Sequence, residues 1–204
     1  MKVSDTAYLS CEYFPTISWI AHYLKSTHVL LEVHDYFPRK SYRNRAKITG
    51  PNGELLLSVP LKGGRNQRTI TKDIEIANHI KWQHQHLRTL DACYRSSPYF
   101  EYYMPYFEKI FTHQYRFIHD MHLDILQAIL AILKVTPMHK VTEKYLSSTQ
   151  SDDLIDYRNE YPILSSTTYL QPFLDRHGFV PNLSVIDLLF CAGTQSKEII
   201  INAQ

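Results

Sequence analysis

In YLSCEYFPTISWIAHYLKSTHVLLEV (residues 8–33) two apolar stretches bracket an amphipathic one. Tyr8 to Phe14 mixes apolar and aromatic residues and reads as a strand. Pro15 and Thr16 then open a helix, with Ile17, Ile20, Ala21 and Leu24 spaced along one face. His28 to Val33 has the short apolar run of a buried second strand. The three together make a strand–helix–strand unit, short against the roughly 30 residues typical of βαβ. With parallel strands, Glu12 and Tyr13 end beside His34 and Asp35.

The chain leaves the second strand through EVHDYFPRKSYRNR (residues 32–45). Acid, imidazole, hydroxyl, amide and cation side chains crowd there, and a core strand needs none of them. Ligands of open α/β sheets bind beyond the carboxyl ends of strands. Glu32 and His34 share a face at strand spacing, which makes His34 a candidate general base supported by Glu32. Arg39, Lys40 and Arg45 are candidate anion clamps, and Asn44 a candidate for orienting a polar ligand. A surface turn whose charges pair with one another accounts for the same residues.

Further on, Arg45–Thr49 and Leu55–Pro60 flank Gly50-Pro51-Asn52-Gly53, a hairpin signal. Lys62-Gly63-Gly64 reads as a flexible loop and Ile74 to Ile76 as a short strand. A helical half follows. Lys81 to Arg95 places Ile80, Leu87, Leu90 and Tyr94 on one face. A helix from Ser97-Pro98 carries Tyr99, Tyr102, Tyr103, Tyr106 and Phe107, and Met121 to Lys134 turns Leu123, Leu126, Ile129, Leu130 and Leu133 inward. Residues 147–168 read as a polar loop with a short helix around Asp153 to Asn159. Tyr169 to Arg176 reads as a helix ended by Gly178, and Val185 to Ala192 as one closed by Gly193.

Composition is that of an ordinary globular protein, 44% hydrophobic and 21% charged. Cys11, Cys93 and Cys191 have no CxxC spacing, which fits a reducing compartment. The first ten residues lack a signal-peptide core, and the longest apolar run, Ile129–Leu133, is far short of the ~20 residues that cross a bilayer. A cytoplasmic protein with no membrane partner is expected. Net charge is +2, but nine cations and one acid, Glu54, lie between Arg39 and Lys72. That concentration, with Lys62 in it, suggests an anionic small molecule.

Other polar residues have structural readings beside functional ones. Asn182 and Ser184 can cap the last helix, and Asp187 in its first turn suits the helix dipole. The tyrosines from Tyr94 to Tyr106 fit core packing, or stacking on a sugar or base. His119 and His122 stand three apart without the ligands of a zinc site, so no metal is expected. There is no P-loop, no GxSxG and no GxGxxG, and no nucleic-acid-binding module is recognisable.

Several separated motifs in order resemble the WbqC-like family. They are Tyr13-Phe14-Pro15, residues 32–45, Gly53 with Leu57-Ser58-Val59-Pro60, Lys81-Trp82-Gln83 with His86, residues 92–100, and PNLSVIDLLF (181–190). Residues 135–168 match poorly. The resemblance implies a part in bacterial surface-polysaccharide biosynthesis, such as O-antigen assembly, and a cytoplasmic enzyme that modifies a sugar, without identifying the reaction; a transferase acting on an amino sugar or nucleotide sugar is the expected activity. It also implies ligand contacts at Glu32, His34, Lys40, Asn44, Arg45, His86, Tyr94, Asn182, Ser184 and Asp187. His86 or Tyr94 would lie across the cleft from His34. Glu12, Asp35 and Tyr99 complete the candidate set. A non-catalytic binding or scaffold protein of the same pathway is the alternative. The expected fold is a single α/β (or α+β) domain, with a small mixed sheet from residues 1–78 covered by helices from 79–204. The residues name neither a cofactor nor an oligomeric state.

Overall fold

A computed structural model describes residues 6–38, 41–63, 68–146 and 154–204. The expected strand–helix–strand unit is present. Strand β1 (Thr6–Ser10) and strand β2 (His28–Glu32) run parallel, in register from Thr6 opposite His28 to Ser10 opposite Glu32. Helix α1 (Ile17–Lys25) crosses between them. Thr16 caps it, its hydroxyl accepting from the Trp19 amide at 3.1 Å. Ile17, Ile20 and Ala21 are buried as their spacing predicts. Burial extends around α1 to Trp19 and Tyr23 because the helix packs on β1 and on two C-terminal helices. Each such large apolar side chain contributes about 1.5–3 kcal/mol.

β1 stops at Ser10, earlier than the apolar pattern predicts. Residues 11–14 leave the sheet, and Phe14 takes a left-handed φ of 44°. Its ring is held against Phe107 and Phe111, and its carbonyl accepts from Ser184 Oγ at 2.8 Å.

The hairpin forms as expected from β3 (Arg45–Gly50) and β4 (Gly53–Ser58), with Gly53 supplying a φ of 101°. It is a separate two-stranded sheet. The free edge of β3 is satisfied elsewhere: Lys47 O accepts from the Ser184 amide at 2.7 Å, and the Thr49 amide donates to the Tyr94 hydroxyl at 3.1 Å. Residues 74–76 make isolated bridges, Glu75 to Phe117 and Ile76 to Leu61, after a 3-10 turn over Thr71–Asp73, so no strand forms there.

The main sheet is completed from the other half of the chain. β5 (His139–Val141) adds parallel to β2, and β6 (Leu154–Asp156) adds parallel to β1, giving the order β5-β2-β1-β6. Of the short helix expected around Asp153 to Asn159, Leu154–Asp156 is instead a strand and residues 157–159 are not helical, while Asp153 lies outside the described residues. Leu154 and Ile155 pair with Thr6 and Ala7 along an edge of β1 that would otherwise expose unpaired backbone. All four strands point the same way, so their carboxyl ends share one rim.

Helices α2 (Trp82–Tyr94), α3 (Phe100–Thr112) and α4 (Ile118–Ile132) pack on one another in succession. In α2 the buried face is Trp82, His86, Leu90, Cys93 and Tyr94, while Ile80 and Leu87 are exposed. On α3, Tyr103 and Phe107 are buried and Tyr102 and Tyr106 face outward. In α4, Leu126, Ile129 and Leu130 turn inward as expected, and Leu133 just beyond its end is also buried. The helix expected over Tyr169 to Arg176 shrinks to α5 (Leu174–His177), because Pro172 precedes a left-handed Phe173 (φ 62°). α6 (Val185–Ala192) ends at Gly193 (φ 56°) as its sequence predicts, and the chain then runs on into α7 (Ser196–Ile201). No helix among the described residues is long and apolar enough to cross a membrane.

Candidate functional site

Connections leave β1 toward β2 on one side, while β6 enters on the other. Strand order reverses there, and ligands of open parallel sheets bind in the crevice outside the strand ends at such a point. A cavity of about 1110 Å³ opens at that place. Ser10 and Glu12 from the end of β1, residues 157–163 following β6, Arg45, Lys47, Glu54 and Leu56 of the hairpin, and Pro181-Asn182 line it.

Glu12 is the chemically distinctive group. It is 7% exposed, its Oε1 accepts from the Tyr161 hydroxyl at 2.6 Å, and its Oε2 accepts from the Thr16 amide at 3.1 Å. Burial pushes its carboxyl up to about 7, against the opposing pull of Tyr161, Thr16 and Arg43. A carboxyl near neutrality moves a proton either way at physiological pH. Tyr161 also lies 2.9 Å from Thr16 Oγ1, so the hydroxyl is fixed between two partners.

The cations around the cavity divide by what holds them. Arg43 is 3% exposed and forks onto Asp35, with Nη1–Oδ1 2.7 Å and Nη2–Oδ2 2.5 Å. It also reaches Thr71 and Ser10, tying the ends of β1 and β2 together. Arg158 forks onto Asp156, reaches the Leu146 carbonyl, lies 3.6 Å from Glu32 and stacks over Tyr8. Lys47 pairs with Glu54 at 3.0 Å. Arg45 lines the cavity with no ion pair among the described residues. Arg39 and Lys40 lie outside the described residues, between Pro38 and Ser41, which both line the cavity.

Three expected site residues, Glu12, Arg45 and Asn182, meet at this cavity. Asn182 holds a φ of 49° and its Oδ1 accepts from the Ser18 amide at 2.9 Å, closing the first turn of α1. Asparagine tolerates that backbone region better than most residues.

The other expected residues lie elsewhere. Glu32 is fully buried and accepts from Tyr8, from the Val33 and His34 amides, and from Thr142. Burial alone would raise its carboxyl, but those hydrogen bonds outweigh it and hold it below the usual value. His34 stands 3.8 Å from Glu32 Oε1 and 3.4 Å from Thr142 Oγ1, at the β2–β5 end of the rim. Asp35 is committed to Arg43. His86 is buried against Tyr13 and Trp82, with Nδ1 2.8 Å from the Tyr13 hydroxyl, and burial lowers it to about 4. It packs the core and does not face the cavity.

Tyr94 and Tyr169 both donate to the buried Asp187 at 2.6 Å, joined by Gln171. Burial raises the Asp187 carboxyl despite these donors. Ser184 caps α6. Asn44 brackets β4, donating to Val59 O at 3.0 Å. Exposed Lys62 pairs with Glu75 at 2.6 Å. Tyr99 covers Gly193, where an added Cβ would fall 2.4 Å from its ring.

Sequence reasoning passed over the run Tyr157 to Tyr161. Its signal was present: two tyrosines, an arginine and an asparagine directly after Leu154-Ile155 repeat the polar burst that follows β2. Among the described residues, no group of three or more His, Cys, Asp and Glu is placed to hold a metal ion.

In comparison with known proteins, the WbqC-like protein family matches residues 11–172. The match spans residues 135–168, and the 181–190 motif lies beyond it. The chain matches no curated protein and no solved structure.

Proposed function

The chain belongs to the WbqC-like protein family, and on that premise we propose that it is a transferase acting on an amino sugar or nucleotide sugar of surface-polysaccharide synthesis. The observation that carries the reading is a single one: Glu12, a buried carboxyl raised toward neutrality, lines an open cleft at the strand-order reversal together with Arg45, which has no ion pair among the described residues. The cleft is large enough for a ligand of nucleotide-sugar size.

In this reading Glu12 is the general base, in preference to His34. The acceptor's nucleophilic oxygen or nitrogen gives its proton to Glu12 Oε as it bonds to the donor's electrophilic carbon. The leaving group departs with the electron pair of the broken bond. Tyr161 holds the carboxylate in place, and Arg45, with Lys47 beside it, holds the anionic part of the substrate.

The test is a thermal-shift screen against nucleotide sugars, acyl donors and nucleotides, followed by turnover assays of the ligands that bind. A ligand at ~100 times its Kd adds about 2.7 kcal/mol, several degrees for a domain of this size. Glu12→Gln should then cost turnover about 10²–10⁴-fold while binding persists. A comparable loss in His34→Ala, with Glu12→Gln near wild type, would move the base to the His34–Glu32 pair. Binding without turnover by the wild type would favour the scaffold reading.

A further inference from the structure

We propose that the cleft selects a sugar carrying a free, protonated amine, with the ammonium seated against Glu12 and the phosphate against Arg45. This rests on the nucleotide-sugar reading above and names which sugars fit it.

The first observation is the state of Glu12. Each carboxylate oxygen accepts one hydrogen bond, from Tyr161 and from the Thr16 amide, which leaves each with a lone pair. No cation lies within ion-pair distance among the described residues. Arg43 is the guanidinium whose charge reaches it, but both terminal nitrogens of Arg43 are spent on Asp35, Thr71 and Ser10. A buried carboxylate without a counter-ion is costly. It is relieved by a proton or by a cation from outside, and an ammonium group supplies either.

The second observation is that the usual phosphate cradle is filled. In doubly wound sheets an anion docks on the free amides at the start of the first helix. Here the Ile17 amide donates to Leu183 O at 3.0 Å, the Ser18 amide to Asn182 Oδ1, and the Trp19 amide to Thr16 Oγ1. The Thr16 amide is taken by Glu12 itself. A phosphate finds no free donor there and meets a carboxylate. The anion is therefore left to the hairpin side of the cavity, where Arg45 has no ion pair among the described residues and the partner of Lys47, Glu54, is half exposed.

Glu12 and Arg45, both lining the cavity, thus call for opposite charges on one ligand. A neutral hydroxyl at the amine's position would leave Glu12 uncompensated.

Isothermal titration calorimetry tests this with uridine and thymidine diphosphate sugars bearing a free amine at C2, C3, C4 or C6, each beside its hydroxyl counterpart. At least one amino sugar should bind the wild type about tenfold or more tighter than its counterpart, the scale of a charge-assisted hydrogen bond. Glu12→Gln, nearly isosteric and confirmed folded by its melting curve, should erase that ratio. Arg45→Ala should weaken both members of the pair alike. Equal binding of amine and hydroxyl, or a ratio that survives Glu12→Gln, overturns the amine assignment and leaves the nucleotide-sugar reading standing. Binding of no nucleotide sugar overturns that reading and takes the amine assignment with it.

Discussion

The Tyr161 hydroxyl donates to Glu12 Oε1 at 2.6 Å from 149 positions further along the chain. The bond joins the segment after β6 to the segment after β1, across the place where strand order reverses. Because it favours the ionised carboxylate, it holds down a pKa that burial raises. Tyr161→Phe should lift the Glu12 carboxyl further above 7 and shift the base limb of the pH–rate profile upward. Side-chain carbon NMR of the glutamates, read against pH, checks the shift directly. An unchanged Glu12 titration would remove Tyr161 from its support.

Glu12 should also cost the protein stability at neutral pH. Its folded pKa is raised from 4.5 to about 7. Below 4.5 both folded and unfolded chains hold the proton. As pH rises, the unfolded chain ionises first, and the folded state loses stability until its own carboxyl ionises near 7. The full loss is on the order of 3 kcal/mol. Glu12→Gln should therefore be relatively more stable at pH 8 than at pH 4.5, measured by urea denaturation at both.

His86 and His122 act on the other side. Burial lowers them to about 4 and about 3, so both are neutral in the fold. Their contribution is intact above the ordinary histidine value of 6.5. It is lost as pH falls and the unfolded chain takes up protons the folded one refuses. Denaturation midpoints should drop steadily from pH 6.5 to 4. A variant such as His86→Gln, whose side chain does not titrate, should show a shallower drop.

Arg43 and Lys62 are both cations of the same basic stretch with acidic partners, yet they should behave differently. Arg43→Ala leaves Asp35 charged and largely buried and removes the tie between β1 and β2, a loss of about 3–5 kcal/mol. Lys62→Ala breaks an exposed pair and should cost no more than about 1 kcal/mol. Equilibrium unfolding of the two variants decides it.

Gly193→Ala should be strongly destabilising, because the position needs a φ of 56° and an added Cβ would meet the Tyr99 ring at 2.4 Å. Pairing it with Tyr99→Ala should recover the steric part of the loss and leave the backbone part, read from melting temperatures.

Local pattern was enough for β1-α1-β2, the hairpin, the three long helices α2, α3 and α4 and the glycine stop of α6, because each is written in spacing that the chain shows to its own neighbours. It was also enough to set Glu12 at the end of the first strand and Arg45 and Asn182 among the candidates. Tertiary structure decided the rest. β5 and β6 are three residues each, too short to carry a period, and they are strands only because β2 and β1 offer them free edges. With β6 placed, the strand order reverses beside Glu12, and the candidate cavity opens at the β1 end and not at the β2 end, where His34 stands. Which cations remain available is likewise a matter of partners: Asp35, 8 positions from Arg43, takes that guanidinium, while Arg45, two residues on, is left to the cleft. Charge and spacing are properties of the chain, whereas burial and pairing arise only once distant segments meet.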